Sequence, residues 1–247
     1  MGSAEPQQDE LTVLVTGFGP FKEDFPLNPS WGIASRLPDY LPPLRPKSGG
    51  RDPAVTLPPV RLLVYPEPIR VSYETVRSLV PTLWGPDGPA QGRRIDLAVH
   101  IGMAGPRPVY SLERRGHRDA YAMKDVDGKF LHDEERRVRE GKDWVWYGAP
   151  RELETDFDVD DVLPRWKKYS PDDVDVRISE DAGRYLCDFI YFSSLAHLWK
   201  AKEFRRVVFL HVPADMSDKA LTTGREIALQ LIRSIIESEL VRRNRVA

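Results

Sequence analysis

A single cysteine occurs among 247 residues, and the residues around it bear on chemistry. Cys187 stands in Asp181-Ala-Gly-Arg-Tyr-Leu-Cys187-Asp-Phe189, directly ahead of an apolar stretch, and a histidine closes a later apolar run, Val207-Val-Phe-Leu-His211-Val-Pro213. A thiol and an imidazole can serve as a nucleophile and its base: the imidazole takes the thiol proton and returns it to a departing amine near neutral pH. A lone cysteine serves equally well as a small core hydrophobe, so its neighbours must decide. Of five histidines, His211 and His100 fall at or near the ends of runs that read as strands. His117 lies in a loop, His132 in an irregular stretch and His197 on a helix face. Strand ends are where sheet enzymes present catalytic groups, and spacing leaves His211 and His100 as equal candidates. The imidazole also needs an orienting acceptor, which a strand-borne carboxylate supplies while stabilising the imidazolium. Glu113, in Tyr110-Ser-Leu-Glu113-Arg-Arg-Gly-His117, is one option; for any one of the 38 acidic residues the default is a solvated charge.

These groups need elements to hold them. After Gly183, the residues Tyr185, Leu186, Phe189, Ile190, Phe192, Leu195 and Trp199 make the chain apolar around most of a helical circumference, which predicts a central helix. Cys187 then lies near its first turn, where free N–H groups and the helix dipole favour a thiolate. Leu11–Thr16 reads as a first strand running into Gly17-Phe-Gly-Pro-Phe21. A helix follows Pro29, with Trp31, Ile33, Ala34 and Leu37 at helical spacing and Ser30 close to its start. Residues 41–59 read as loop, Val60–Tyr65 as a strand, and Ser72–Leu79 as a helix that Pro81 should end or kink. Ile95–Ile101 is a third strand ending in Gly102-Met-Ala-Gly105, and 107–113 a fourth, polar enough to lie toward an edge. From 125 to 173 no period persists, and the dense charge with Trp144, Trp146 and Trp166 reads as an irregular insertion. The strand at 207–212 and an amphipathic helix from Ser217, its cap, to Arg243 complete the pattern. Strands alternating with helices predict an α/β fold, with one domain over 11–247 and a loose polar tail over 1–10.

Bulk composition narrows the partners. Apolar residues make up 41%, charged residues 30%, and the net charge is -2, which argues against a disordered chain or a nucleic-acid binder. One cysteine excludes an internal disulfide and any multi-cysteine metal site, and it suits the reducing cytosol. No apolar run approaches the roughly 20 residues that span a bilayer, so no membrane partner is expected. Gly17-Phe-Gly19 lacks the third glycine of a dinucleotide loop, and neither a P-loop nor an HExxH motif occurs. No cofactor and no metal are expected.

Six segments in order resemble the pyroglutamyl peptidase I family, the pyrrolidone-carboxylate cysteine peptidases. They are Val13-Leu-Val-Thr-Gly-Phe-Gly-Pro-Phe21, Asn28-Pro-Ser-Trp31, His100-Ile-Gly-Met-Ala-Gly105, Leu112-Glu113, Asp181-Ala-Gly-Arg-Tyr-Leu-Cys187 and Val207-Val-Phe-Leu-His211-Val-Pro213. The resemblance implies a single three-layer α/β/α domain around a central mixed, mostly parallel sheet. It implies a Glu-Cys-His triad at Glu113, Cys187 and His211, with His100 a structural residue. The implied activity is an omega peptidase that cleaves after an N-terminal pyroglutamyl residue and passes through an acyl-enzyme. Phe18, Phe21, Asn28 and Met103 fall at positions implied to meet the substrate, with Tyr185 and Leu186 further candidates beside the nucleophile. Small peptides with N-terminal pyroglutamate are the implied partners, and homo-oligomers of family type are left open. Met103 stands where bacterial relatives commonly carry glutamine, and Arg118 near a position that is often asparagine. The 125–173 insertion exceeds what the family core requires, so it bears on cleft cover, peptide access or oligomerisation. Two rival readings follow from these departures: a non-catalytic binding protein on the same scaffold, and a phosphorylase-like enzyme on a related α/β architecture.

Overall fold

The computed structural model describes residues 10–21, 26–44, 56–105 and 108–246, with the side chains of 245 and 246 excepted. Residues 1–9 of the expected tail, and 45–55 of the expected loop, lie outside the described residues. Six strands form the main sheet: β1 (Leu11–Gly17), β2 (Val60–Val64), β3 (Leu97–Met103), β4 (Val109–Glu113), β7 (Asp175–Ser179) and β8 (Val207–Val212), in the order β2-β1-β3-β8-β4-β7. All neighbours run parallel except β4 and β8, which are antiparallel. Between β4 and β7, short β5 (Arg115–His117) and β6 (Glu152–Glu154) pair as a separate antiparallel ribbon.

Strand alternation assigns the faces. Val13, Val15, Leu97, Val99, Ile101, Val208, Leu210 and Val212 point to one apolar layer, covered by α1 (Pro29–Ala34), α4 (Val159–Tyr169) and α6 (Asp218–Val246). Leu14, Ala98, Val207 and Phe209 point to the other, covered by α2 (Tyr73–Trp84) and α5 (Leu186–Lys200). Three layers around a mixed, mostly parallel sheet result, as the family resemblance implies. Because side chains alternate with period 2, His211 and Glu113 emerge on the α5 side, out of phase with Leu210 and Leu112.

Several expectations change. Ser30 is close to the start of α1, as expected, and the cap is Asn28, whose Oδ1 accepts the Ser30 N–H at 3.1 Å. Pro81 does not end α2, which continues to Trp84. It falls in the last turn, where one backbone hydrogen bond is lost, and the buried Val80 and Leu83 on either side offset that cost. Strand β4 lies toward an edge, as expected, with a further strand outside it, β7, where Asp175 and Arg177 alternate with the buried Val176. His117 lies in β5 rather than in a loop. The insertion is not irregular: it holds α3 (Asp133–Glu140), a 3-10 turn, β6 and α4. Helix α3 buries no residue, so its sequence offers no apolar period, whereas α4 buries Val159, Val162 and Trp166. All three tryptophans are buried, and Trp166 Nε1 donates to the Ile227 carbonyl at 3.0 Å. Ser217 does cap α6, its Oγ accepting the Ala220 N–H at 3.2 Å.

Candidate active site

The parallel strands β3 and β8 end side by side, with Gly102 paired to His211, and α5 begins above them. Gly183 has φ +85°, a conformation that side-chain-bearing residues avoid, and its N–H donates to Asp181 Oδ1 at 2.9 Å. This turn lifts the chain into an extended Tyr185, which takes the N-cap position without a capping side-chain bond. The first helical bond runs from Phe189 N–H to the Tyr185 carbonyl at 2.9 Å. Cys187 is therefore the second helical residue, and its N–H is one of the first-turn donors with no intrahelical acceptor. Cys187 is partly exposed.

Gly102 makes room for it. A Cβ at Gly102 would lie 2.8 Å from Cys187 Sγ and 2.5 Å from the Phe209 ring, closer than any packed carbon tolerates. The missing side chain thus forms a slot between β3 and α5 in which sulfur sits beside the His211 ring. His211 hydrogen-bonds to Cys187, and its Nδ1 donates to Glu113 Oε1 at 2.7 Å. Glu113 is paired to Phe209, so it reaches His211 along the diagonal of the antiparallel β4–β8 ladder, a span suited to a long side chain. Both residues are nearly closed to solvent, His211 at 6% exposure and Glu113 at 2%. Glu113 Oε2 is buried without a hydrogen-bond partner among the described residues. Phe209 packs against the His211 ring at 4.7 Å between centroids.

Burial pushes the His211 pKa down, but the charge on Cys187, the hydrogen bond to that sulfur and the Glu113 carboxylate outweigh it, and the value is pushed up to about 10. His100 behaves in the opposite way. Complete burial holds it down to about 3, and its two ring nitrogens are taken by Thr16 Oγ1 at 2.8 Å and Ser194 Oγ at 2.9 Å. One histidine is thus held in a charged pair and the other is kept neutral as a tie between β1, β3 and α5.

A family model described as Pyroglutamyl peptidase matches residues 89–233. Human Pyroglutamyl-peptidase 1 is 34% identical over 234 residues, spanning 92% of this chain and 93% of that protein. The chain belongs to the pyroglutamyl peptidase family. It is accordingly a cysteine peptidase. Pyrrolidone-carboxylate peptidase of Pyrococcus furiosus is 26% identical over 203 residues, 82% of this chain and 81% of that one. Among solved structures, a mutant pyrrolidone carboxyl peptidase of that organism superposes with a TM-score of 0.64 at 23% identity, over 94% of this chain and 99% of the other. The pyrrolidone carboxyl peptidase of Thermococcus litoralis gives 0.65 at 19% identity, over 92% and 94%. At those identities the likeness speaks for the fold.

The other residues singled out for this pyroglutamyl peptidase family member occupy unequal places. Phe21 stays partly exposed and its ring meets that of Tyr185 at 6.5 Å, beside the Cys187 turn. Phe18 is buried, with its N–H on Ser30 Oγ at 2.9 Å, and Leu186 is buried in the same apolar layer. Asn28 is engaged within its own loop: Nδ2 donates to the Gly19 carbonyl at 2.9 Å and Oδ1 accepts from Ser30 Oγ at 2.8 Å. Met103, partly exposed, is the last residue of β3. The Arg118 guanidinium is held by Asp119 and the Ala149 carbonyl, so it braces the insertion.

Sequence reasoning missed Gly102 as the thiol's slot and the cluster behind Cys187. A glycine inside a strand pattern is the available signal for the first, since it marks a close approach. The cluster is Asp188, fully buried, whose carboxylate accepts the His117 N–H at 3.2 Å, pairs with His117 Nδ1 at 3.1 Å and takes the Tyr121 hydroxyl at 2.8 Å. Only the directly adjacent thiol hinted at it. Among the described residues, no group of three or more His, Cys, Asp or Glu side chains is gathered as metal ligands, and no helix is long and apolar enough to cross a membrane.

Proposed function

We propose that the chain hydrolyses the peptide bond that follows an N-terminal pyroglutamyl residue, with Cys187 as nucleophile, His211 as acid and base, and Glu113 as the group that orients His211. The observation that carries this reading is His211 itself, bonded at Nδ1 to Glu113 and facing Cys187 with the rest of its ring. The thiolate attacks the pyroglutamyl carbonyl carbon, and the carbonyl electrons move onto oxygen. The first-turn N–H of Cys187 supports that oxyanion, and a single such donor is worth about 3 to 4 kcal/mol. Collapse expels the amine, which takes the His211 proton, and leaves a thioester on Cys187. Water then gives a proton to neutral His211, attacks the thioester and releases pyroglutamate; the proton on His211 restores the charged pair. Glu113 keeps the ring aligned without taking the proton.

A pyroglutamyl lactam is flat and carries no α-ammonium, so it suits aromatic walls such as Phe21 and Tyr185 with Phe18 and Leu186 behind them. Asn28 supports this pocket by holding the Gly19 loop, and Met103 borders it at the β3 end. Peptides with N-terminal pyroglutamate are the substrates under this reading. A free nucleophilic thiol fits a reducing, cytosolic setting. Residues 11–247 act as one domain, and homo-oligomers are compatible with it.

The test is release of fluorophore from pyroglutamyl-aminomethylcoumarin under reducing conditions. Wild-type protein should turn it over and Cys187→Ala should not, beyond about a thousandth of the wild-type rate, since loss of a nucleophile typically costs that much or more. A wild-type protein that binds a pyroglutamate analogue but turns over nothing would favour the binding-protein reading. Activity that survives Cys187→Ala would end the thiol mechanism.

A further inference from the structure

Beside Cys187 lies a buried acid that the mechanism above does not use. Asp188 is the third residue of α5, one position past Cys187, and its side chain is closed to solvent. An acidic side chain at that position ordinarily turns back on its own helix, where it accepts from the N-terminal backbone and offsets the positive end of the helix dipole. Asp188 turns the other way. Both of its oxygens accept the His117 N–H at 3.2 Å, Oδ1 pairs with His117 Nδ1 at 3.1 Å, and Oδ2 takes the Tyr121 hydroxyl at 2.8 Å.

Packing brings these partners to the acid. Gly116 lets β5 lie directly on α5, since a Cβ there would stand 2.9 Å from the Phe192 backbone nitrogen. His117, the next residue, therefore meets the first turn of α5 with both its backbone and its ring, and it is buried there. The Tyr121 ring is set edge-on against Phe189 at 5.4 Å and against Tyr73 at 6.3 Å, and its hydroxyl also donates to the His117 carbonyl. Arg184, another cation whose charge reaches Asp188, is itself bonded to Asp181 and, at 2.7 Å, to the Gly183 carbonyl. Burial holds the Asp188 carboxyl above the usual carboxylate range, and the bonds from His117 and Tyr121 work against that burial. The N-cap residue Tyr185 makes no capping side-chain bond, so neither side chain placed to cap α5 does so.

We propose that His117 and Tyr121 are positioning residues for the peptidase reaction: they hold the Asp188 carboxylate away from the start of α5, which leaves the Cys187 N–H free for the oxyanion and the helix dipole uncancelled. The inference rests on the peptidase reading above. Asp188 is then a tie between β5 and α5 that turns against the site once its partners are removed.

The test measures kcat and KM on the coumarin substrate for single and double variants, with rates referred to the folded fraction. His117→Leu removes the Nδ1 partner and frees the carboxylate. Its kcat should fall about tenfold, part of the roughly hundredfold or more that losing a whole oxyanion donor costs, and KM should stay unchanged because the oxyanion forms only after substrate is bound. Tyr121→Phe should show the same pattern to a smaller extent, and it carries the test where His117→Leu does not fold. His117→Asn keeps an N–H donor close to the Nδ1 position, so it should retain several-fold more activity than His117→Leu. Asp188→Asn removes the charge, so adding it to His117→Leu or to Tyr121→Phe should raise kcat several-fold. A cluster that only braces the fold gives the reverse, because the added substitution weakens what remains of it. A kcat that falls further in the double variants, a loss carried by KM alone, or wild-type rates in both His117→Leu and Tyr121→Phe overturns this inference and leaves the peptidase reading standing. A wild-type protein without turnover overturns both.

Discussion

Glu113→Gln isolates what the buried carboxylate does for His211. The side chain keeps its size and an oxygen that can accept from Nδ1, but the acceptor at 2.7 Å loses its charge. Hydrogen bonds to charged groups contribute about 1.5–3 kcal/mol and neutral ones about 0.5–1.5, so the imidazolium should lose about 1 to 1.5 kcal/mol of support. One pKa unit corresponds to about 1.4 kcal/mol, so the His211 pKa should fall by roughly one unit from its present value. That value is about 10, held there against burial by the Cys187 charge, the bond to its sulfur and the Glu113 carboxylate. In the proposed mechanism His211 must be protonated to release the amine, so kcat/KM should decline on the alkaline side near pH 10 in the wild type and about one unit lower in the variant.

The assay is kcat/KM on the coumarin substrate from pH 6 to 10.5 at constant ionic strength, which reports titrations of the free enzyme. The limb belongs to the Cys187–His211 pair as a unit, and the comparison between the two proteins is what decides. Stability gives a second readout. A histidine whose folded pKa is raised contributes stability that is fully present below its ordinary value near 6.5 and is lost as pH rises through about 10. The variant should therefore be less stable to urea at pH 7, with the gap narrowing as pH passes 10. A wild-type limb near pH 6.5, or an alkaline limb that Glu113→Gln leaves unmoved, would refute the charged-pair account.

Two further outcomes follow from the geometry. Gly102→Ala puts a carbon 2.8 Å from Cys187 Sγ and 2.5 Å from the Phe209 ring, so it should cost about 1–3 kcal/mol of stability and, by displacing the thiol, on the order of a hundredfold in kcat/KM; a fully active variant by the coumarin assay contradicts the slot. His100, whose folded pKa is lowered to about 3, makes stability fall as pH drops below 6.5, by up to about 1.4 kcal/mol per unit, because the unfolded chain takes up the proton first. His100→Gln removes that titration, so urea midpoints at pH 7.5 and 4.5 should differ less in the variant than in the wild type, and equal differences would show that His100 does not carry the acid sensitivity.

His100 and His211 also show where sequence reading ran out. Both lie on apolar strands, both point to the α5 side, and alternation cannot tell them apart. The β3–β8 register does: His100 pairs with Phe209, and Gly102 pairs with His211. His100 thus sits one same-face step deeper, where Thr16 and Ser194 enclose it, and His211 takes the last full step before the strands end. That offset depends on how two strands distant in sequence align, which local pattern does not encode. The family motifs supplied the distinction that periodicity lacked. In the insertion the difficulty was different: α3 docks through Asp133 on Arg77 and buries no side chain, so the cue used to recognise amphipathic helices was absent.

The α5 helix was legible because it is apolar almost all round, and the structure supplies a functional reason for that. Cys187 faces His211 and the Gly102 slot. Asp188, the next residue, turns toward β5 and gathers the His117 N–H and ring with the Tyr121 hydroxyl. Tyr191, one turn beyond Cys187, donates its hydroxyl to the Glu113 carbonyl at 3.0 Å, and Ser194 reaches His100. One helix therefore carries the proposed nucleophile, holds the backbone of the strand that bears the proposed orienting acid, and binds the neutral histidine beneath. Gly116 completes the attachment, since a Cβ there would lie 2.9 Å from the Phe192 backbone nitrogen, so the β5 ribbon presses directly on the helix. A helix restrained on all sides cannot rotate to exchange one contact for another. Sulfur, imidazole and carboxylate are consequently kept in register by packing before any substrate arrives, and this preorganisation lets a buried histidine near the end of β8 hold a proton that burial alone would remove.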